Sequence, residues 1–226
     1  MERFVFSAAL VAVALVSVLS GTGLAQETFT FYADSDAWVN EANPEANYGN
    51  FTYVSVKDRS GNAESYLKFK DEDIARLSGR QVSSASLFMY QYAGTYSPGD
   101  TVNAHAVSGD WTEASLTWNT KPGYVAAVSG SLELTQDIAL WREFGGLQDI
   151  VAGWQAAGNY GLVLENNLDG KAEELFGRFY SSECSDISLR PYMKVTVTPE
   201  PVSMLLFTLG GGAMAAVRMR RMGKER

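Results

Sequence analysis

Short runs of alternating apolar and polar residues, broken by turn formers, fill the chain from residue 28 to residue 198. A period of two is the mark of a half-buried strand. Residues 28–32 and 37–39 carry the first strand signals, and residues 51–56 the next. Residues 66–70 set Leu67 and Phe69 on one face and Tyr66, Lys68 and Lys70 on the other. Residues 85–92 send Leu87, Met89 and Gln91 one way. Further strands are predicted over 101–107, 161–165, 175–180 and 192–198. Residues 43–50 and 58–62 are dense in Asn, Gly, Pro and Asp and read as loops. Helix signals are few. Residues 71–76 suit one turn, and Leu147, Ile150, Val151 and Trp154 fall at i, i+3, i+4, i+7, with Gly158 placed as a stop. Many short strands and one short helix predict an all-β fold, a β-sandwich of jelly-roll type.

Both ends depart from this pattern. Arg3 precedes an apolar run over residues 4–19, and Gly23-Leu24-Ala25 offers small residues before Gln26. This is the layout of a signal peptide, residues 1–25, cut between Ala25 and Gln26. At the other end, Pro199-Glu200-Pro201 is followed by an apolar run over 202–217 that predicts a hydrophobic, membrane-crossing helix. Arg218, Arg220, Arg221, Lys224 and Arg226 close the chain. The prolines bar that helix from running back into the domain. The run is slightly shorter than the roughly 17–25 residues of a full span, and the cations favour a cytoplasmic C-terminus. The order Pro-Glu-Pro, hydrophobic helix, basic end resembles the PEP-CTERM sorting signal of Gram-negative bacteria that make exopolysaccharide. The resemblance implies an exosortase as processing partner and membrane attachment through the tail before processing. An ordinary C-terminal anchor is the other reading, and both place the domain outside the inner membrane. The chain thus divides into residues 1–25, a domain over 26–198, and a tail over 199–226.

Charge sharpens the division. Residues 26–199 hold 12 basic and 23 acidic side chains, a net charge of −11, against −8 for the whole chain. So acidic a domain is a poor match for nucleic acid, where affinity comes from neutralising phosphates. It suits solubility or bridging by divalent cations. Cys184 is the only cysteine, so no internal disulfide supports the fold. It reads as a buried thiol, with intermolecular pairing as the alternative. His105 is the only histidine and reads as a strand residue at a sheet surface or edge. No nucleophile–His–Asp spacing, phosphate loop or Cys/His cluster is present. No catalytic residue is assigned.

Four segments together resemble the disaggregatase-related, or DNRLRE, domain family. They are Asp36-Ala37-Trp38-Val39 through Asn47-Tyr48-Gly49; Glu64-Ser65-Tyr66-Leu67-Lys68-Phe69; Asp110-Trp111-Thr112-Glu113-Ala114-Ser115-Leu116-Thr117-Trp118-Asn119; and a last one from Gln148 and Trp154 through Asn159-Tyr160-Gly161 and Ser181-Ser182-Glu183 to Arg190-Pro191-Tyr192. The resemblance covers about residues 31–198. Glu64 and Lys70 depart from its pattern, changing charge on what reads as the exposed side of their strand. It implies a β-sandwich of secreted and cell-surface proteins, with carbohydrate-binding modules among its members, some of them alginate-type binders.

Two sites follow from the residues. Tyr66 and Lys68 on one strand, and Arg178 and Tyr180 on another, point away from the apolar faces. As strand neighbours they would form a basic-aromatic patch whose rings stack on sugars and whose cations hold uronic carboxylates, making an acidic polysaccharide the partner. The family-matched rings Trp38, Trp111, Trp118, Trp154, Tyr48 and Tyr160 read instead as core or corner residues. Asp34, Asp36 and Glu41, near Glu45 and several Asn, have the oxygen chemistry of a structural Ca²⁺ site. The leading reading is a secreted, non-catalytic carbohydrate-binding protein of the envelope or exopolysaccharide matrix. A structural or adhesive surface protein with a protein partner is the alternative, and a polysaccharide-degrading enzyme the third.

Overall fold

In a computed structural model of the chain, residues 26–58, 61–95, 99–135, 137–167 and 175–199 are described. The chain divides into two compact units, Thr28–Val197 and Met1–Glu27 with Thr198–Arg226. The first carries the fold described below. The cleavage-site residue Ala25, Glu200, Pro201, the apolar tail run and the basic end lie outside the described residues. Among the described residues no helix is long and apolar enough to cross a membrane.

The fold is all-β, as the alternation predicts. Ten strands appear in the order β1 (Glu27–Asn40), β2 (Tyr53–Asp58), β3 (Ala63–Phe69), β4 (Arg80–Thr95), β5 (Thr101–Ala106), β6 (Gly130–Glu133), β7 (Leu140–Phe144), β8 (Leu162–Asn167), β9 (Leu175–Tyr180) and β10 (Tyr192–Pro199). One hydrogen-bonded path runs β1-β10-β4-β9-β2-β3-β8-β5-β6, with β7 also on β4, and β1 pairs with β3. Six strands therefore close a ring, and β8, β5 and β6 extend from it. Long, bulged strands explain the closure. β1 pairs with β3 only from Ala33 onward, through a bulge between Ala33 and Ser35, leaving its first residues to β10. β2 and β3 share the single pair Lys57↔Ala63, so the two sides diverge there and leave room for a core.

Phe31, Leu67, Phe69, Leu87, Met89, Phe144, Phe179, Leu162 and Val195 fill that core and are essentially inaccessible to water. Helix α1 (Asp71–Ala75) and helix α2 (Gln148–Ala157) both fall where the sequence places them. α2 inserts Ile150, Val151 and Trp154 into the core and ends at Gly158, whose φ of 105° a side chain would resist. Two strands escape the sequence reading. β6 has only four residues at the end of the path, and β7 is a five-residue strand against the middle of β4. Neither shows enough alternation to stand out.

β3 is buried on both faces. Its inner face, Leu67 and Phe69, joins the main core. Its outer face meets a second cluster of Ala37, Val39, Tyr66, Val163, Trp111 and Leu116. The segment that follows β5 supplies Trp111 and Leu116 and so roofs this side of the sheet. Two Asn-Tyr-Gly turns fasten the roof. Asn47 donates from Nδ2 to the carbonyls of Glu113 (2.6 Å) and Leu116 (2.8 Å). The Tyr160 carbonyl accepts from Trp111 Nε1 at 2.9 Å.

Candidate functional site

The structure does not bring Tyr66, Lys68, Arg178 and Tyr180 together. β3 and β9 are not neighbours, because β9 lies between β2 and β4. Tyr66 is 0 % exposed and donates its hydroxyl to Glu64 Oε2 and the Pro122 carbonyl, both at 3.1 Å. Burial and the Glu64 carboxylate push its phenol far above the ordinary tyrosine range. A buried, neutral ring cannot stack on a sugar. Glu64 is likewise not on an exposed face: it is buried and paired with Lys121 at 2.5 Å. Lys68 is held by Asp110 at 2.7 Å. His105 is buried as well, 2.9 Å from the Val125 carbonyl and 3.2 Å from Glu165 Oε1. Trp38, Trp111 and Trp154 are buried, as expected of core rings, and so is the Cys184 thiol, which is free.

Arg178 and Tyr180 belong to a different surface. Period two on β4 turns Phe88, Tyr90 and Tyr92 away from the core, opposite Leu87, Met89 and Gln91. Register sets partners beside them. Trp141 on β7 pairs with Tyr90, and Tyr53 on β2 pairs with Tyr180 on β9. A bulge between Gln91 and Ala93 shifts the β4–β9 register beside Tyr92. Ring contacts then run without a break. Tyr192 stacks on Phe88 (5.0 Å) and meets Trp141 edge-on (5.1 Å). Trp141 meets Tyr90 (5.7 Å), Tyr90 stacks on Tyr180 (5.8 Å), Tyr180 on Tyr92 (4.8 Å), and Tyr92 meets Tyr53 (6.1 Å). Tyr32, 57 % exposed, continues the row beyond Tyr192 at 6.0 Å.

Seven half-buried rings thus line the outside of β10, β4, β9 and β2, with β7 alongside. At about 4.8 Å between strands the band is on the order of 15 Å wide. Two cations are set into it. The Arg178 guanidinium lies 5.1 Å from the Tyr53 ring centre and 5.2 Å from that of Phe176. Lys194 Nζ lies 5.0 Å from Phe88 and 5.7 Å from Tyr192. Burial raises the Tyr92 phenol, with Arg178 opposing, and burial also raises Tyr192. Both hydroxyls stay protonated near neutrality, able to donate and accept. Ring faces, phenols and cations on one rigid sheet suit a ligand with apolar C–H faces and many hydroxyls. The sequence signal for this face was the second half of the β4 alternation, which pairs with the Arg178 and Tyr180 positions already singled out.

A family model for carbohydrate-binding module family 96 matches residues 27–196. The chain belongs to carbohydrate-binding module family 96. The match takes in all ten strands apart from the end of β10, so a carbohydrate-binding function rests on the whole β domain. No curated protein matches the chain.

A second polar feature gathers around Asp36 of β1. Asp36, Glu113 and Glu183 each place one carboxylate oxygen within 4.8 Å of the others. Asp36 accepts from the Ser182 amide through Oδ2 at 2.7 Å, while its own amide donates to Glu113 Oε1 at 2.9 Å. Ser182 Oγ donates to Glu183 Oε1 at 2.8 Å. Burial, then the Glu183 charge, pushes the Asp36 carboxyl well above the usual carboxylate range, and burial raises Glu113. Of the predicted cation ligands only Asp36 is in this cluster. Asp34 faces Lys70 at 3.5 Å, and Glu41 accepts from the Asn62 amide at 3.1 Å, because the loop after β1 carries Glu41 away.

Proposed function

We propose that the domain binds polysaccharide through the aromatic band on β10, β4, β9, β2 and β7, and that it does so without catalysis. The observation that carries this is the unbroken row of half-buried rings, set with Arg178 and Lys194, on a member of a carbohydrate-binding family. The apolar C–H face of a pyranose fits against the electron-rich face of a ring. The two cations add a preference for uronic carboxylates, so an acidic polysaccharide is the favoured ligand. Non-catalysis is supported by the one tight carboxylate cluster among the described residues. Asp36, whose raised proton affinity would suit a general acid, is 1 % exposed and cannot reach a glycosidic oxygen. The closed ring of strands with β8, β5 and β6 attached is read as a jelly-roll sandwich of the DNRLRE type.

The same reading covers the ends. Residues 1–25 export the domain, and the Pro199-Glu200-Pro201 tail directs it to an exosortase after transient membrane attachment. The protein then works in the envelope, at the outer surface or in the exopolysaccharide matrix.

Affinity electrophoresis of the full chain through gels carrying acidic and neutral polysaccharides tests this. Saturable retardation, stronger in the uronate gel and without new reducing ends, is the expected result. Equal mobility in every gel together with self-association would replace it with the adhesive reading. Release of products would establish an enzyme.

A further inference from the structure

Buried Asp36 and half-buried Glu113 and Glu183 bring three carboxylates together, an arrangement that favours a positive partner. Among the described residues no Lys, Arg or His forms an ion pair with Asp36, Glu113 or Glu183. A buried carboxylate stays charged only when paired or bound to metal. Asp36 is 1 % exposed, yet its Oδ1 has no hydrogen-bond partner. Glu183 Oε2 is buried and equally without one. Native proteins leave few such atoms, and each one asks for an unseen group. These two belong to the same cluster.

We propose that Asp36, Glu113 and Glu183 bind a divalent cation, Ca²⁺, and that the ion ties three separate parts of the chain. The donors are all carboxylate oxygens, the hard ligands that Ca²⁺ prefers. Oxygens held about 2.3–2.6 Å from one ion stand up to about 5 Å apart, and the observed separations lie within 4.8 Å. Asp36 belongs to β1, Glu113 to a 3-10 turn in the roof of the second cluster, and Glu183 to the turn between β9 and β10. Only β1 has a ladder to hold it at this point. The ion would fasten the roof and the late turn to that strand. Access exists: Glu113 lines one surface groove and Glu183 another, and both grooves share Asp34 and Lys70. Water completes the shell from there. The competing occupant is a proton shared among the carboxylates, which would need no metal.

The experiment is Ca²⁺ titration of the full chain, stripped with chelator, followed by bound-metal analysis and thermal melting. One Ca²⁺ per chain is expected, with Tm higher by about 5–10 °C at a hundredfold excess over Kd. Glu183→Gln keeps the shape and removes a ligand charge, and it should weaken Ca²⁺ binding at least about tenfold. Glu113→Gln gives the same result if that variant does not fold. Asp34→Asn and Glu41→Gln should respond like the unaltered chain. A chain that binds no Ca²⁺ and melts at the same temperature with and without it overturns the proposal. Unaltered Ca²⁺ affinity in folded Glu183→Gln does so too.

Discussion

Gly161→Ala is expected to lower stability by about 3–5 kcal/mol, a large share of what a domain of this size has to lose. Two costs coincide. Gly161 has a φ of 79°, where an L side chain is strained, and an added Cβ would stand 2.1 Å from the Leu67 carbonyl oxygen. Strand β3 cannot give way, because it is paired with β1 and β8 and packed on both faces. The damage would spread, since the Gly161 carbonyl accepts from the Val107 amide and from Trp154 Nε1, both at 3.3 Å. Urea unfolding of the variant beside the unaltered chain reads the effect directly. A loss below about 1 kcal/mol would mean that β3 and the turn are not held together as described.

Tyr92→Ala/Tyr180→Ala is expected to weaken polysaccharide binding by about 10–100-fold, as the loss of central aromatic anchors does elsewhere. These two rings stack on each other in the middle of the row and link Tyr90 to Tyr53. Lys68→Ala should leave binding unchanged. Lys68 is on the other side of the fold, paired with an exposed Asp110, and such pairs contribute at most about 1 kcal/mol to stability. Isothermal titration with an acidic polysaccharide compares the three chains. Equal affinity of the double variant would move the binding site off this face.

What the sequence shows of this molecule depends on how local each feature is. Alternation exposes the strands, and the i, i+3, i+4, i+7 spacing exposes α2 together with its glycine stop, because both are properties of consecutive residues. Strand neighbours are not. The expected patch joined Tyr66 and Lys68 to Arg178 and Tyr180 by assuming that β3 and β9 lie side by side. Ring closure puts β2 between them, and the roof carrying Trp111 and Leu116 then covers the outer face of β3. Tyr66 is therefore core and Lys68 pairs with Asp110, while Arg178 and Tyr180 lie on a different face. The acidic cluster has the same lesson. Asp36 was visible as a ligand type, but Glu113 and Glu183 lie 77 and 147 residues further on. Only long-range packing brings them within 4.8 Å. Each of the three sits in one of the four segments that carry the family resemblance, which is the one sequence signal that could have grouped them.

The central claim is that the aromatic band is where polysaccharide binds, and hydroxyl-radical footprinting of the full chain tests it most directly. With an acidic polysaccharide present, protection is predicted at Phe88, Tyr90, Tyr92, Trp141, Tyr180 and Tyr192, with Trp118 and Tyr124 on the roof unchanged. Protection confined to Trp118 and Tyr124 under saturating ligand, with the band as reactive as before, would contradict it.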